Sequence, residues 1–86
     1  VKIEFDPAKD AINRRKHGLS LAAAAELAIE ASFVVPDKRR DYGEARLQAY
    51  GLIEGRLHVL AFTMRGDVLR AISLRKANTS EVRRYG

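Results

Sequence analysis

An arginine guanidinium can hold a phosphate through two parallel hydrogen bonds and stabilise negative charge developing on it. Arg46, Arg70 and Arg75 each fall in a segment patterned as a β-strand, which would hold them rigidly enough for that task. Two of them, with Lys76, punctuate Val68–Ala77, whose Val68, Leu69, Ile72 and Leu74 otherwise read as an interior strand. Such cations either mark the frayed ends of a strand or line a surface that faces an anion. Histidine, the usual carrier of protons near neutral pH, is scarce, with only His17 and His58. His17 stands at a predicted helix C-terminus, where capping and the helix dipole already account for it. His58 alternates onto a predicted core face. Two histidines without carboxylates at ligand spacing make a weak case for a metal, so none is expected, and the lack of cysteine removes thiolate ligands and disulfides. No Gly-rich phosphate loop, Walker pattern or nucleophile elbow is present, so no nucleotide cofactor is expected. Tyr42, in the charged stretch Asp37–Glu44, and Tyr85 are aromatic rings on which bases could stack.

The elements that must position these residues belong to a short chain. With 86 residues, one domain spanning 1–86 with a small core is expected. An apolar share of 47% beside 31% charged residues excludes a disordered chain. No apolar run reaches the ~18–20 residues that span a bilayer. Glu4, Asp6 and Asp10 sit where a signal peptide would need its apolar region, and a cytoplasmic protein is expected. The formal net charge of +5 is unevenly spread: residues 44–86 carry eight Lys/Arg against four Asp/Glu, and residues 1–43 eight against seven. A basic C-terminal half favours a polyanion such as RNA or DNA, or an acidic protein, as partner.

Local signals predict an α+β fold. Val1–Phe5 alternates as an edge strand; Asp6-Pro7 opens a helix that runs to about Lys16 and stops at Gly18. Ser20 caps a second helix over Leu21–Ala31, with Leu21, Ala24, Ala25, Leu27 and Ala28 inward. A short strand over Ser32–Val35 ends at Pro36. Then comes a meander of Ala45–Ile53, Arg56–Met64 and Val68–Lys76, turning at Glu54-Gly55 and Arg65-Gly66. Asn78 and Glu81 form a capping box at the start of a short last helix. The expected architecture is a small antiparallel sheet, the three-strand C-terminal meander plus short N-terminal strands, with two N-terminal helices and one C-terminal helix.

Tight turns imply a register. Pairing Ile53 with Arg56 sets Gln48 against Ala61 and Arg46 against Thr63; pairing Met64 with Asp67 sets Ala61 against Arg70. One face then carries Arg46, Gln48, Thr63 and Arg70, followed by Tyr50, Val59, Ile72, Leu52, Leu57 and Leu74. The other carries Leu47, Ala49, Leu60, Phe62, Leu69 and Ala71. In this register Arg46 and Arg70 form a phosphate-gripping pair without an obvious carboxylate, while Arg75 projects from the opposite face near Arg56. A lone arginine is equally well explained by a salt bridge to Glu44, Asp67 or Glu81.

Across nearly its whole length the chain resembles the BrnT toxin family of bacterial type II toxin–antitoxin systems. The resemblance is carried by Phe5-Asp6-Pro7-Ala8-Lys9, by Asn13 through Lys16-His17-Gly18, and by Asp41-Tyr42-Gly43-Glu44 with Arg46. Arg70 through Ile72-Ser73, Arg75-Lys76-Ala77, Glu81 and Tyr85 complete it. Leu74 stands where the family usually has Ala, and Ala22-Ala23 replace a frequent acidic pair. The resemblance implies a RelE-like, metal-independent endoribonuclease that cleaves mRNA, either free or on the ribosome, and inhibits translation. It also implies a ribbon-helix-helix antitoxin like BrnA, through which alone the toxin would reach promoter DNA. The residues expected to act on RNA are Arg46, Arg70, Arg75, His17, Tyr85 and Glu44, with RNA contacts from Lys16, Arg39, Arg40, Tyr42, Gln48 and Lys76. A non-catalytic RNA- or ribosome-binding module, or a domain that binds only protein, would use the same basic face.

Overall fold

The structure, a computed structural model, describes residues 2–39, 41 and 43–86. A five-stranded mixed sheet in the order β1-β5-β4-β3-β2 organises them. The strands are β1 (Lys2–Glu4), β2 (Phe33–Pro36), β3 (Leu47–Ile53), β4 (Arg56–Arg65) and β5 (Val68–Lys76). Helix α1 (Pro7–His17) packs on one face, and α2 (Thr79–Tyr85) follows β5. The sheet is not wholly antiparallel: β1 runs parallel to β5, pairing Lys2 with Val68 and Glu4 with Arg70. No local signal in a three-residue strand reveals its partner or direction.

The helix ends follow from their caps. The Asp6 side chain accepts from the Ala8 N–H, Pro7 occupies the first turn, and Gly18 closes α1 in the left-handed region at φ 70°. Asn78 and Glu81 form the reciprocal capping box of α2.

The predicted second α-helix is instead two 3-10 segments, Leu21–Glu26 and Ile29–Ala31. Leu21, Ala24 and Leu27 are its buried residues, whereas Ala25 and Ala28 are exposed. That spacing of three is the 3-10 period, in which side chains at i and i+3 eclipse. Asp10 fixes the entry to the first segment, its carboxylate accepting from the Leu21 N–H at 2.7 Å and the Ser20 hydroxyl at 3.0 Å. These bonds hold the Asp10 carboxyl below its usual range, the backbone bond from Leu21 contributing most.

The β3–β4 register is as expected, with Ile53 against Arg56 and Gln48 against Ala61. Glu54 and Gly55 both take positive φ, as a two-residue mirror-image turn requires. Between β4 and β5 the expected register is wrong. The turn centres on Gly66-Asp67, so that Arg65 pairs with Val68 and Thr63 with Arg70. Gly66 takes φ 63°, a conformation in which Arg65 would be strained. A bulge follows: Phe62 pairs with Ala71 but Ala61 pairs with Ser73, which leaves Ile72 as the extra residue.

The bulge reverses the side-chain alternation along the rest of β5. Leu74, expected on the outer face, pairs with Leu60 and is fully buried in the main core. Arg75, expected on the helix-covered face, pairs with Val59 and points outward. The main core joins Leu21, Ala24 and Leu27 to Ala49, Leu60, Phe62, Leu69, Ala71 and Leu74. A smaller cluster on the outer face joins Tyr50, Leu57, Val59 and Ala77 to Val35 and Tyr85.

Candidate active site

Past Arg70, strand β5 has no strand neighbour on its outer edge among the described residues, because β1 ends at Glu4. Helix α1 fills the gap with one side chain. The buried Asn13 donates its amide to the Leu74 carbonyl at 2.9 Å and accepts from the Leu74 N–H at 3.0 Å. The same amide nitrogen donates to the Leu19 carbonyl at 2.8 Å. Asn13 thus acts as a one-residue strand and locks the end of α1, with His17, beside the segment that carries Arg75.

The Arg75 guanidinium is held end-on by Glu81, with Nη1–Oε1 at 2.7 Å and Nη2–Oε2 at 2.8 Å. Glu81 Oε1 also accepts from the Asn78 N–H at 2.9 Å, so one carboxylate caps α2 and orients the arginine. Arg75 holds the Glu81 carboxyl below the usual carboxylate range. Two strands inward lies Tyr50, whose hydroxyl donates to Gln48 Oε1 at 3.0 Å. Tyr85 stacks on Tyr50 with ring centroids 4.0 Å apart and planes 18° from parallel. Burial, followed by the charge of Glu81, pushes the Tyr50 phenol up.

On the other side of Arg75, burial and the charges of Lys16 and then Arg75 hold His17 below the usual imidazole range. The shift favours the neutral imidazole, the form that can accept a proton. His17, Lys16 and Ser73 line one cavity of about 190 Å³ at the free edge of β5.

The expected site residues divide by place. Arg75, His17 and Tyr85 gather around the outer end of β5, with Lys16 alongside and Gln48 touching Tyr50. Arg39 is bound end-on by Asp37, at 2.9 and 2.8 Å, yet its charge still reaches Arg75 and Tyr50. The bonds from Arg39 lower the Asp37 pKa most, and Arg46 adds to the effect. The expectation that Arg46 and Arg70 lack a carboxylate is therefore incorrect: Arg46 lies in the field of Asp37, and Arg70 lies 3.5 Å from Glu4.

Glu44 approaches Arg65 at 3.7 Å. Arg65 is six residues along β4 from Val59, about 20 Å at strand rise, so Glu44 is not gathered with Arg75. Lys76 pairs with His58 on the helix-covered face, where it shares a cavity with Arg56. It takes the place beside Arg56 that the expected register gave to Arg75. His58 is buried as expected, its Nδ1 lying 2.7 Å from the Arg56 carbonyl. Arg40 and Tyr42 lie outside the described residues.

Sequence reasoning left out Tyr50, Ser73 and, except as a salt-bridge partner, Glu81. A signal for Glu81 was present: the capping-box residue of α2 follows β5 closely enough to fold back on its last arginine.

The chain matches the family described as ribonuclease toxin, BrnT, of type II toxin-antitoxin system over residues 5–81. Among solved structures it is similar to the Brucella abortus ribonuclease toxin BrnT, with 30% identity and a TM-score of 0.74. That likeness covers 92% of this chain and 99% of the other. A search of curated proteins finds no match. A family match over most of the length, on a backbone shared with a solved member, settles the assignment: this chain belongs to the BrnT family of ribonuclease toxins of type II toxin–antitoxin systems.

Proposed function

We propose that this chain is a metal-independent endoribonuclease that cleaves RNA at the outer end of β5. The observation that carries the reading is the bulge at Ile72, which turns Arg75 onto the outer face, where its charge reaches both His17 and the Tyr50–Tyr85 stack. In the proposed reaction the RNA 2′-hydroxyl attacks its adjacent phosphate. His17 takes the hydroxyl proton, and Arg75 stabilises charge building on the phosphorane oxygens. The 5′-oxygen leaves with a proton from Tyr85, and a 2′,3′-cyclic phosphate remains.

Lys16, Arg39 and Gln48 contact the strand near the reacting phosphate in this reading, and Arg46 and Arg70 hold phosphates farther along it. Arg40 and Tyr42 belong to the same proposed contact surface. Among the described residues no group of three or more His, Cys, Asp or Glu side chains could hold a metal ion. A ribbon-helix-helix antitoxin that covers this face would silence the enzyme. Among the described residues no helix is long and apolar enough to cross a membrane.

The test is to incubate purified protein with RNA in EDTA, with and without ribosomes, and to analyse the new ends. Cyclic phosphate ends that vanish in Arg75→Ala support the proposal. Binding without cleavage in every arm would instead leave a module that only holds RNA.

A further inference from the structure

Strand β2 pairs with β3 from Phe33↔Tyr50 to Pro36↔Leu47, and past Tyr50 the chain entering β2 lies against the edge of β3, with Ser32 so close to the buried Gly51 that a side chain there would collide with it. At that edge lies a cavity of about 220 Å³ lined by Phe33, Tyr50, Gly51, Leu52, Ala31 and Tyr85 among others. Three aromatic rings meet there. Tyr85 stacks on Tyr50 and lies 5.5 Å from Phe33 at a tilt of 53°. Phe33 remains 60% exposed and Leu52 55% exposed, so packing within the chain does not account for either. The Arg84 guanidinium lies 5.8 Å from the centre of the Tyr85 ring, which sets a cation beside one of the lining aromatics.

We propose that this cavity receives one nucleobase of the RNA, stacked against Phe33, while the flanking phosphates lie toward Arg75 and Arg84. The inference rests on the RNA-cleaving reading above and adds to it a subsite that Arg75 does not itself form. Size favours a base over a protein segment. The cavity is smaller than the ~300–1,000 Å³ of sites for drug-sized ligands, and suits one planar ring system rather than a helix. Charge agrees as well, because cations border an apolar slot, the arrangement single-stranded nucleic acid requires.

The test uses short single-stranded RNAs with 2′-O-methyl groups to block cleavage and a single 2-aminopurine moved along the chain. Binding is followed by anisotropy and stacking by 2-aminopurine fluorescence. The wild-type protein should quench the probe strongly at one position only. Phe33→Ala should abolish that quenching and weaken binding about tenfold, and Phe33→Trp should keep both. The exposure of Phe33 on a short edge strand makes either variant compatible with folding, which circular dichroism verifies.

Unchanged quenching and affinity in Phe33→Ala would overturn the subsite while leaving the RNA-cleaving reading intact. Unchanged RNA binding with weakened binding to the antitoxin would overturn it in favour of a protein contact. A wild-type protein that neither binds nor cleaves any RNA would bring down both readings.

Discussion

Arg70 and Arg75 project from the same face of the same strand, yet they are held differently. Arg70 meets Glu4 of the edge strand β1 through one contact of 3.5 Å between partly exposed side chains. Arg75 is gripped through two short bonds by a carboxylate that is itself tied to the cap of α2. The charge of Arg75 reaches His17 on one side and Tyr50 on the other, and Tyr85 stacks on Tyr50. Nothing comparable surrounds Arg70 among the described residues. Neither charge nor exposure separates the two arginines; the groups that fix their orientation do.

The sharpest test of this contrast is the pair of alanine variants. Arg75→Ala should lower single-turnover RNA cleavage by about 10²–10³-fold, the usual cost of one group that stabilises the transition state. Arg70→Ala should lower it by less than about threefold at moderate salt, as expected for a peripheral phosphate contact. Equal losses would dissolve the distinction.

Glu81→Gln should have a smaller effect, because glutamine can still cap Asn78 but presents only one acceptor to Arg75. A loss of about tenfold in cleavage rate is expected, with little change in KM. The same variant has a stability signature. Glu81 has a folded pKa depressed below 4.5, so its contribution is present above that value and is lost as pH falls through the folded pKa. Urea melts of the wild type should therefore weaken on acidification, and Glu81→Gln should weaken less steeply over the same range.

The smallest effect is electrostatic. Removing the Arg75 charge should let the His17 imidazole hold its proton more tightly, raising its titration midpoint in NMR spectra of Arg75→Gln. Arg70→Gln should leave that midpoint in place. A shift of equal size in both variants would mean that the field at His17 comes from the whole face.

Much of the frame was legible in local chemistry. Asp6-Pro7, Gly18 and the Asn78/Glu81 box each satisfy backbone groups within a few residues, and all act as their sequence signals predict. The inward set of Leu47, Ala49, Leu60, Phe62, Leu69 and Ala71 was equally readable from alternation, although Leu47 is only partly buried. What local signals could not supply was decided by distant partners. The 3-10 segments take their course from Asp10, which overrides the helix preference of four successive alanines. The bulge at Ile72 carries no glycine to announce it, and it decides which face receives Arg75. The spacing of five between Arg70 and Arg75 was the available hint, since a regular strand would send them to opposite faces.

Asn13 has one more consequence. A bare strand edge invites pairing with the edge of another copy, and β5 beyond Arg70 would be such an edge. By occupying both the donor and the acceptor of Leu74, the Asn13 amide removes the middle of that template. Asn13→Ala should therefore do more than lower stability. It should make the protein concentration-sensitive, with light scattering at concentrations where the wild type remains clear, because a neighbouring chain could then supply the strand that one asparagine now imitates.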